Sequence, residues 1–152
     1  MQHIKTPYAP EPGPYAQAVL VDTHSNHLLF LAGQTGNVPG VKDEPVIAGG
    51  VFEQTLQALT NLLAVVVAAG GGPHSFVSLD VFLKDSKTDP GFLPKNIIEK
   101  KEFEKAYQEF FEKHLVPRGE LPARCLVFVA DVPLPFPIEN TLVEIRGVAE
   151  IL

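Results

Sequence analysis

A chain of 152 residues with a formal charge of −6 and 45% hydrophobic residues is long enough to bury roughly 68–70% of its unfolded surface in one compact domain. Its single cysteine excludes an intrachain disulfide and a multi-cysteine zinc site, and it fits a reducing compartment. The acidic balance argues against nucleic acid as a partner, because such binding rests on neutralising phosphates with Lys and Arg.

The longest apolar run, residues 62–69, falls far short of the roughly 20 residues that span a bilayer, so a soluble protein without a membrane partner is expected. The opening MQHIKTPYAP has no apolar h-region, and no transit peptide is visible to support a mitochondrial address. The last residues form no peroxisomal or retention signal, which leaves the cytoplasm as the expected location.

Residues 1–14 carry Pro7, Pro10, Pro12 and Pro14 and are predicted to be extended and irregular. A first strand is expected over 15–21, a turn over 22–26 and an antiparallel partner over 28–32, broken by Gly33-Gln34-Thr35-Gly36. After a Gly/Pro-rich loop with at most a short strand at 46–48, the period changes. Phe52, Leu56, Leu59, Leu63 and Val66 follow one helical face, and Gly70-Gly71-Gly72-Pro73 stops the helix.

Residues 76–84 alternate, with Val77, Leu79, Val81 and Leu83 on one side, as a half-buried strand does. Residues 85–98 read as an insertion. A second helix is expected over 99–114, with Phe103, Tyr107, Phe110, Phe111 and His114 on one face and a solvated charge cluster over 95–105. A strand after Arg124, a proline-rich connection and a last strand over 142–151 complete the chain. The connection is too long for a two-residue hairpin, so the last two strands need not be neighbours. The order predicts an α+β domain over 1–152, a mixed or mostly antiparallel sheet with two helices on one face. The other face is expected to be covered by oligomerisation.

Two charges stand out. Arg124 precedes an apolar segment, and a guanidinium that never loses its charge must face something. Glu144 sits inside the apolar run Leu142-Val143-Glu144-Ile145, although Glu is rarely buried without a partner. Together they imply either one ion pair or one polar cleft; the cleft reading expects Arg124 to be left unpaired by its own chain, and it fails if the guanidinium is locked onto an internal acid with no hollow that solvent can reach. Cys125 reads as a small buried hydrophobe with no activating base. His24 and His27 form a weak spacing for a metal, so no metal site is expected.

Several segments together resemble the YjgF family, also called the RidA or endoribonuclease L-PSP family. They are Gly13-Pro14-Tyr15-Ala16-Gln17-Ala18, Ala32-Gly33-Gln34, Gln54-Thr55 with Ala58, Leu59, Asn61 and Leu62, Ala69-Gly70, Val81-Phe82-Leu83-Lys84-Asp85, Tyr107 with Phe110-Phe111, Pro122-Ala123-Arg124 and Val143-Glu144-Ile145. The resemblance implies a chorismate-mutase-like fold and a homotrimer with a central barrel and clefts between subunits. It also implies hydrolysis of 2-imino and 2-enamino acids to 2-oxo acids and ammonia without a cofactor.

By this likeness Arg124 holds the substrate carboxylate, Glu144 handles water, and Tyr15 and Gly33 complete the cleft. Leu126 stands where the family commonly has cysteine, so it can serve through its main chain only. Glu104 stands where the family often has asparagine; it is expected either to point away from the cleft or to change substrate preference. The alternatives are a non-catalytic, chaperone-like trimer that binds 2-oxo acids and, less favoured by the acidic charge, a ribonuclease.

Overall fold

The structure is a computed structural model and describes residues 1–10, 15–24, 26–85, 95–130, 132 and 140–152. Six strands form one sheet in the order β1-β2-β3-β6-β4-β5. They are β1 (Gln2–Ile4), β2 (Ala18–Asp22), β3 (His27–Thr35), β4 (Phe76–Lys84), β5 (Ala123–Val129) and β6 (Val143–Ile151). All neighbours are antiparallel except β4 and β5, which run parallel. The sheet is therefore mixed, and β4 separates the last two strands in sequence.

Helices α1 (Val51–Ala68) and α2 (Lys95–Lys113) pack on one face. Leu29, Leu31, Leu79, Val81, Leu83, Val143 and Ile145 point into the layer beneath them, with Leu59, Leu62, Val65 and Val66 of α1 and Phe103, Tyr107 and Phe111 of α2. Phe111 meets Phe76 edge-on at 6.2 Å and Tyr107 at 4.8 Å, an aromatic seam that ties α2 to the start of β4.

α1 ends as its glycines predict. Gly70 takes φ +94°, the Gly71 N–H donates to Val66 O at 2.9 Å and the Gly70 N–H to Val67 O at 3.0 Å. This is the paired bonding of a Schellman cap, which satisfies carbonyls the helix itself leaves open. At the other end the Gly50 N–H donates to Glu53 Oε2 at 2.8 Å.

The buried face of α1 differs from the apolar count. Leu59 and Val66 are buried as expected, but Phe52, Leu56 and Leu63 are only partly covered, and Gln54, Thr55 and Asn61 are buried in their place. Counting apolar residues rotated the stripe, because these polar residues are interior. Asn61 Nδ2 donates to Thr35 O (3.0 Å) and Asn37 O (2.8 Å). Gln54 Nε2 donates to Asn140 O and its Oε1 accepts from Leu142 N, both at 2.8 Å. α1 is long and apolar enough by composition to cross a membrane, yet this face is spent on holding loops and sheet.

Other boundaries moved for identifiable reasons. β1 lies in the segment read as irregular and pairs with β2. β3 does not break at Gly33; it runs on to Thr35 through a bulge between Leu31 and Gln34. A register shift between Phe76 and Ser78 buries Phe76 and turns Val77 outward. α2 begins at Lys95 rather than 99. Residues 86–94 and the prolines at 133, 135 and 137 lie outside the described residues. Cys125 is exposed, contrary to its reading as a buried hydrophobe, because β5 is an edge strand and Cys125 alternates to its face away from the helices.

Asn61→Ala should destabilise the fold by about 1–3 kcal/mol, since one buried and one partly buried carbonyl lose their donor. Urea denaturation followed by circular dichroism measures this, and an unchanged midpoint would show that water replaces the amide.

Candidate functional site

The strand registers decide where each charged side chain goes. On β5, Arg124 stands opposite Leu79 of β4 and Leu126 opposite Val81. Leu79 and Val81 are core residues beneath the helices, so Arg124 and Leu126 share the helix-covered face. On β6, Glu144 stands opposite Phe82 of β4 and Thr35 of β3, which alternate to the face away from the helices. Within one chain the two charges therefore lie on opposite faces of the sheet, and they form neither an ion pair nor a shared cleft.

Around Glu144 the geometry is made by the β3 bulge. A Cβ added to Gly33 would collide with Glu144 Oε1, so the carboxylate lies directly over bare backbone. The Ala32 N–H donates to Gln17 O at 2.9 Å, which brings the chain around Tyr15 in beside this bulge; Tyr15 itself is 54% exposed. Gln17 is buried and clamps the N-terminal strap, with Oε1 accepting from Thr6 N at 2.6 Å and Nε2 donating to Ala9 O at 3.0 Å. Burial raises the pKa of Glu144 above the ordinary carboxylate value, and Arg146, two residues on along the same face, partly opposes that rise. Arg146 itself pairs with Asp80 at 3.1 Å and sits 5.8 Å from the Phe82 ring.

The Arg124 half is different from what the sequence predicts. Arg124 Nη2 donates to Glu104 Oε1 at 2.6 Å, so the expectation of an unpaired cation is overturned. Glu104 does not point away: it projects from α2 beside Phe103 and Tyr107. The guanidinium lies 4.5 Å from the Tyr107 ring centroid and 5.1 Å from that of Phe103, a cation–π floor. Burial pushes the Tyr107 hydroxyl up to about 12, with Arg124 pulling it down and Glu104 pushing it further up; the phenol stays neutral. The Arg124 side chain remains 23% exposed and that of Glu104 32%, so the pair is reachable from solvent.

The structure thus forms two separate groupings: Gly33 with Glu144, with Tyr15 two residues from the Gln17 contact to the bulge, and Arg124 with Glu104, Tyr107 and Phe103, with Leu126 on the same face of β5. Phe103 and Tyr107, the rings beneath Arg124, read in the sequence as an apolar helix face, with Tyr107 also part of the family resemblance; their i, i+4 spacing on either side of Glu104 was the available signal for the floor. Arg146 gave no signal beyond its charge. A hollow of about 440 Å³ lined by Lys5, Thr6, Pro7, Ala9, Gln17, Gly40 and Glu44 includes neither half.

The sequence profile described as Endoribonuclease L-PSP matches residues 6–151. The chain belongs to this family. It is the YjgF/RidA family of the resemblance, and its fold agrees with that of the YjgF gene product of E. coli, 30% identical with a TM-score of 0.75 and 98% of each chain covered. A second structure of the family, E. coli TdcF with bound serine, gives 27% identity, a TM-score of 0.75 and 98% coverage of both chains.

Among relatives by sequence, a 2-iminobutanoate/2-iminopropanoate deaminase of Dermatophagoides farinae is 31% identical over 149 residues, covering 97% of this chain and 94% of the relative. The Homo sapiens protein of the same name is 33% identical over 135 residues, covering 89% and 82%. A RutC family protein of Synechocystis is 37% identical over 150 residues, covering 98% and 95%.

Glu144 generates a pH prediction. A carboxyl whose folded pKa is raised binds its proton more tightly folded than unfolded, so its contribution is present below the ordinary value of 4.5 and is lost as pH rises through the folded pKa. Glu144→Gln should remove that loss, flattening stability against pH just above 4.5. Denaturation midpoints across that range check it; parallel wild-type and variant profiles would contradict it.

Proposed function

We propose that the protein is a cofactor-free deaminase that hydrolyses short 2-imino and 2-enamino acids, working as a homotrimer whose sites lie between subunits. The observation that carries this reading is Arg124, a solvent-reachable guanidinium on an aromatic floor at the open edge of the sheet. Arg is suited to a small carboxylate, which it binds through two parallel hydrogen bonds. Glu104 takes one nitrogen of a five-donor fork, which leaves the others for a ligand.

Glu144 supplies the other half. A carboxyl whose pKa is raised toward the working pH is a better proton carrier than an ordinary one. Water adds to C2 of the iminium acid, forming the carbon–oxygen bond while one of its protons passes to Glu144. Glu144 returns that proton to the nitrogen of the tetrahedral adduct. The carbon–nitrogen bond then breaks, ammonia leaves with the electron pair, and the hydroxyl proton is released as the 2-oxo acid forms. Because such imines hydrolyse unaided, fixing carboxylate and water supplies the needed few factors of ten, each about 1.4 kcal/mol.

Assembly follows from the division of the site. With Arg124 and Glu144 on opposite faces, one chain cannot present both to one small molecule, so we place Arg124 of one copy against Glu144, Gly33 and Tyr15 of another. The face away from the helices carries Phe30, Val19 and Val148 in register, and among the described residues β5 is an edge strand with Val127 and Phe128 exposed. Apolar surface and an unpaired strand edge are what a second copy would cover. A nucleic-acid substrate fits poorly, given the formal charge of −6.

The test generates 2-aminoacrylate enzymatically from serine and follows pyruvate. Wild type should accelerate its appearance over buffer, and Arg124→Ala and Glu144→Gln should each lose about 100-fold; no acceleration by wild type would overturn the reading. Arg124→Lys should recover little, since an ammonium cannot form the fork. Mixing the Arg124→Ala and Glu144→Gln chains by joint refolding should restore roughly a quarter of the sites in a randomly mixed cyclic trimer. Persistent inactivity of the mixture would place both groups in one subunit's site.

A further inference from the structure

Glu104 calls for an explanation, because a carboxylate on Arg124 competes with the ligand Arg124 would bind. It is firmly placed: its neighbour Phe103 is fully buried, Tyr107 one turn on is 3% exposed, and its Oε1 accepts from Arg124 Nη2 at 2.6 Å. Both side chains remain partly open to solvent. Below them the phenol of Tyr107 is neutral, so the ion pair this chain supplies at the seat is one guanidinium and one carboxylate; a Glu144 brought in by a second copy adds further negative charge, which opposes an anion in the same sense.

An isolated guanidinium would bind any small carboxylate, and in an imine hydrolysis substrate and product both carry one. They differ at C2 alone. The protonated imine is zwitterionic with no net charge, whereas the 2-oxo acid is a simple anion. Beside the Arg–Glu pair, the zwitterion adds no net charge to the cluster. The 2-oxo acid leaves two carboxylates sharing one cation, a like-charge arrangement that partial burial makes more costly than it is in water.

We infer that Glu104 is a charge-selecting residue, which sets the Arg124 seat to favour zwitterionic 2-imino acids over the anionic 2-oxo acids they become. The inference rests on the deaminase reading for the identity of substrate and product. It makes Glu104 a device for releasing product and for ignoring other small carboxylates, at the expense of tight anion binding.

The experiment measures 2-oxobutyrate binding by calorimetry at fixed ionic strength for wild type, Glu104→Gln, Arg124→Ala and the double variant. Inhibition by 2-oxobutyrate is measured alongside in the imine assay. Glu104→Gln should bind 2-oxobutyrate about fivefold tighter or more, and the gain should vanish in the double variant. Its inhibition constant should fall by more than its KM for the imine, a split that a purely structural ion pair would not produce. Equal or weaker 2-oxobutyrate binding by Glu104→Gln, or equal shifts in the two constants, would overturn the inference. Glu104→Asn serves as the second variant if thermal unfolding shows that Glu104→Gln is misfolded. Tighter binding by Glu104→Gln with no imine turnover by any variant would uphold the discrimination against anions by Glu104 while removing the deaminase reading.

Discussion

Strand β6 runs between β3 and β4, and the alternation of its side chains is the constraint on which the rest depends. Val143, Ile145, Ala149 and Ile151 are buried under the helices, each larger one contributing roughly 1.5–3 kcal/mol when removed from water. A slip of one residue would exchange the two faces and lose all of them together. Glu144 is therefore held on the opposite face by the core's demand, not by any attraction of its own. The cost of partly burying its carboxylate, visible in the raised pKa, is borne by its neighbours.

The space for that carboxylate comes from β3. A bulge inserts one residue between Leu31 and Gln34 and leaves Gly33 beneath Glu144, where any side chain would collide. Bulges redirect side chains and strand edges in this way. Around the bulge, buried amides replace regular pairing: Asn61 holds the carbonyls of Thr35 and Asn37, Gln54 holds the entry to β6, and Gln17 holds the strap. Buried polar groups of this kind are stabilising only when satisfied, and each of these amides donates to a named carbonyl. They fix irregular backbone next to Glu144 as firmly as strands fix the core.

These features explain what was legible in the sequence. The two helices, the glycine stop after α1, the strand over residues 76–84 and the mixed sheet follow from periodicity and turn chemistry, which are local. Glu144 and Arg124 stood out because charge in an apolar frame is also a local anomaly. The bulge at Gly33 was not legible, since glycine near a strand end signals a break as readily as a bulge. Gln54 and Asn61 were hidden because a hydrophobic count treats every amide as surface. Above all, whether Arg124 and Glu144 meet depends on strand order: with β4 inserted between β5 and β6, parity places them on opposite faces, and no spacing along the chain encodes that order.

The exposed edge at β5 gives the same conclusion from the side of energetics. A guanidinium over Tyr107 and Phe103 gains about 0.5–2 kcal/mol from the rings, while a partly exposed ion pair adds about 0–1 kcal/mol. Neither term is large, so Arg124 is oriented without being sequestered. A fully buried pair would behave otherwise, because separating it to admit a ligand would strand a desolvated charge. The placement of this cation at the rim, on rigid aromatic support and with one modest partner, is the condition under which a small carboxylate can compete for it. The same rim position puts it at the β5 edge of the sheet, which is where the proposed pairing with the Glu144 of a second copy needs it.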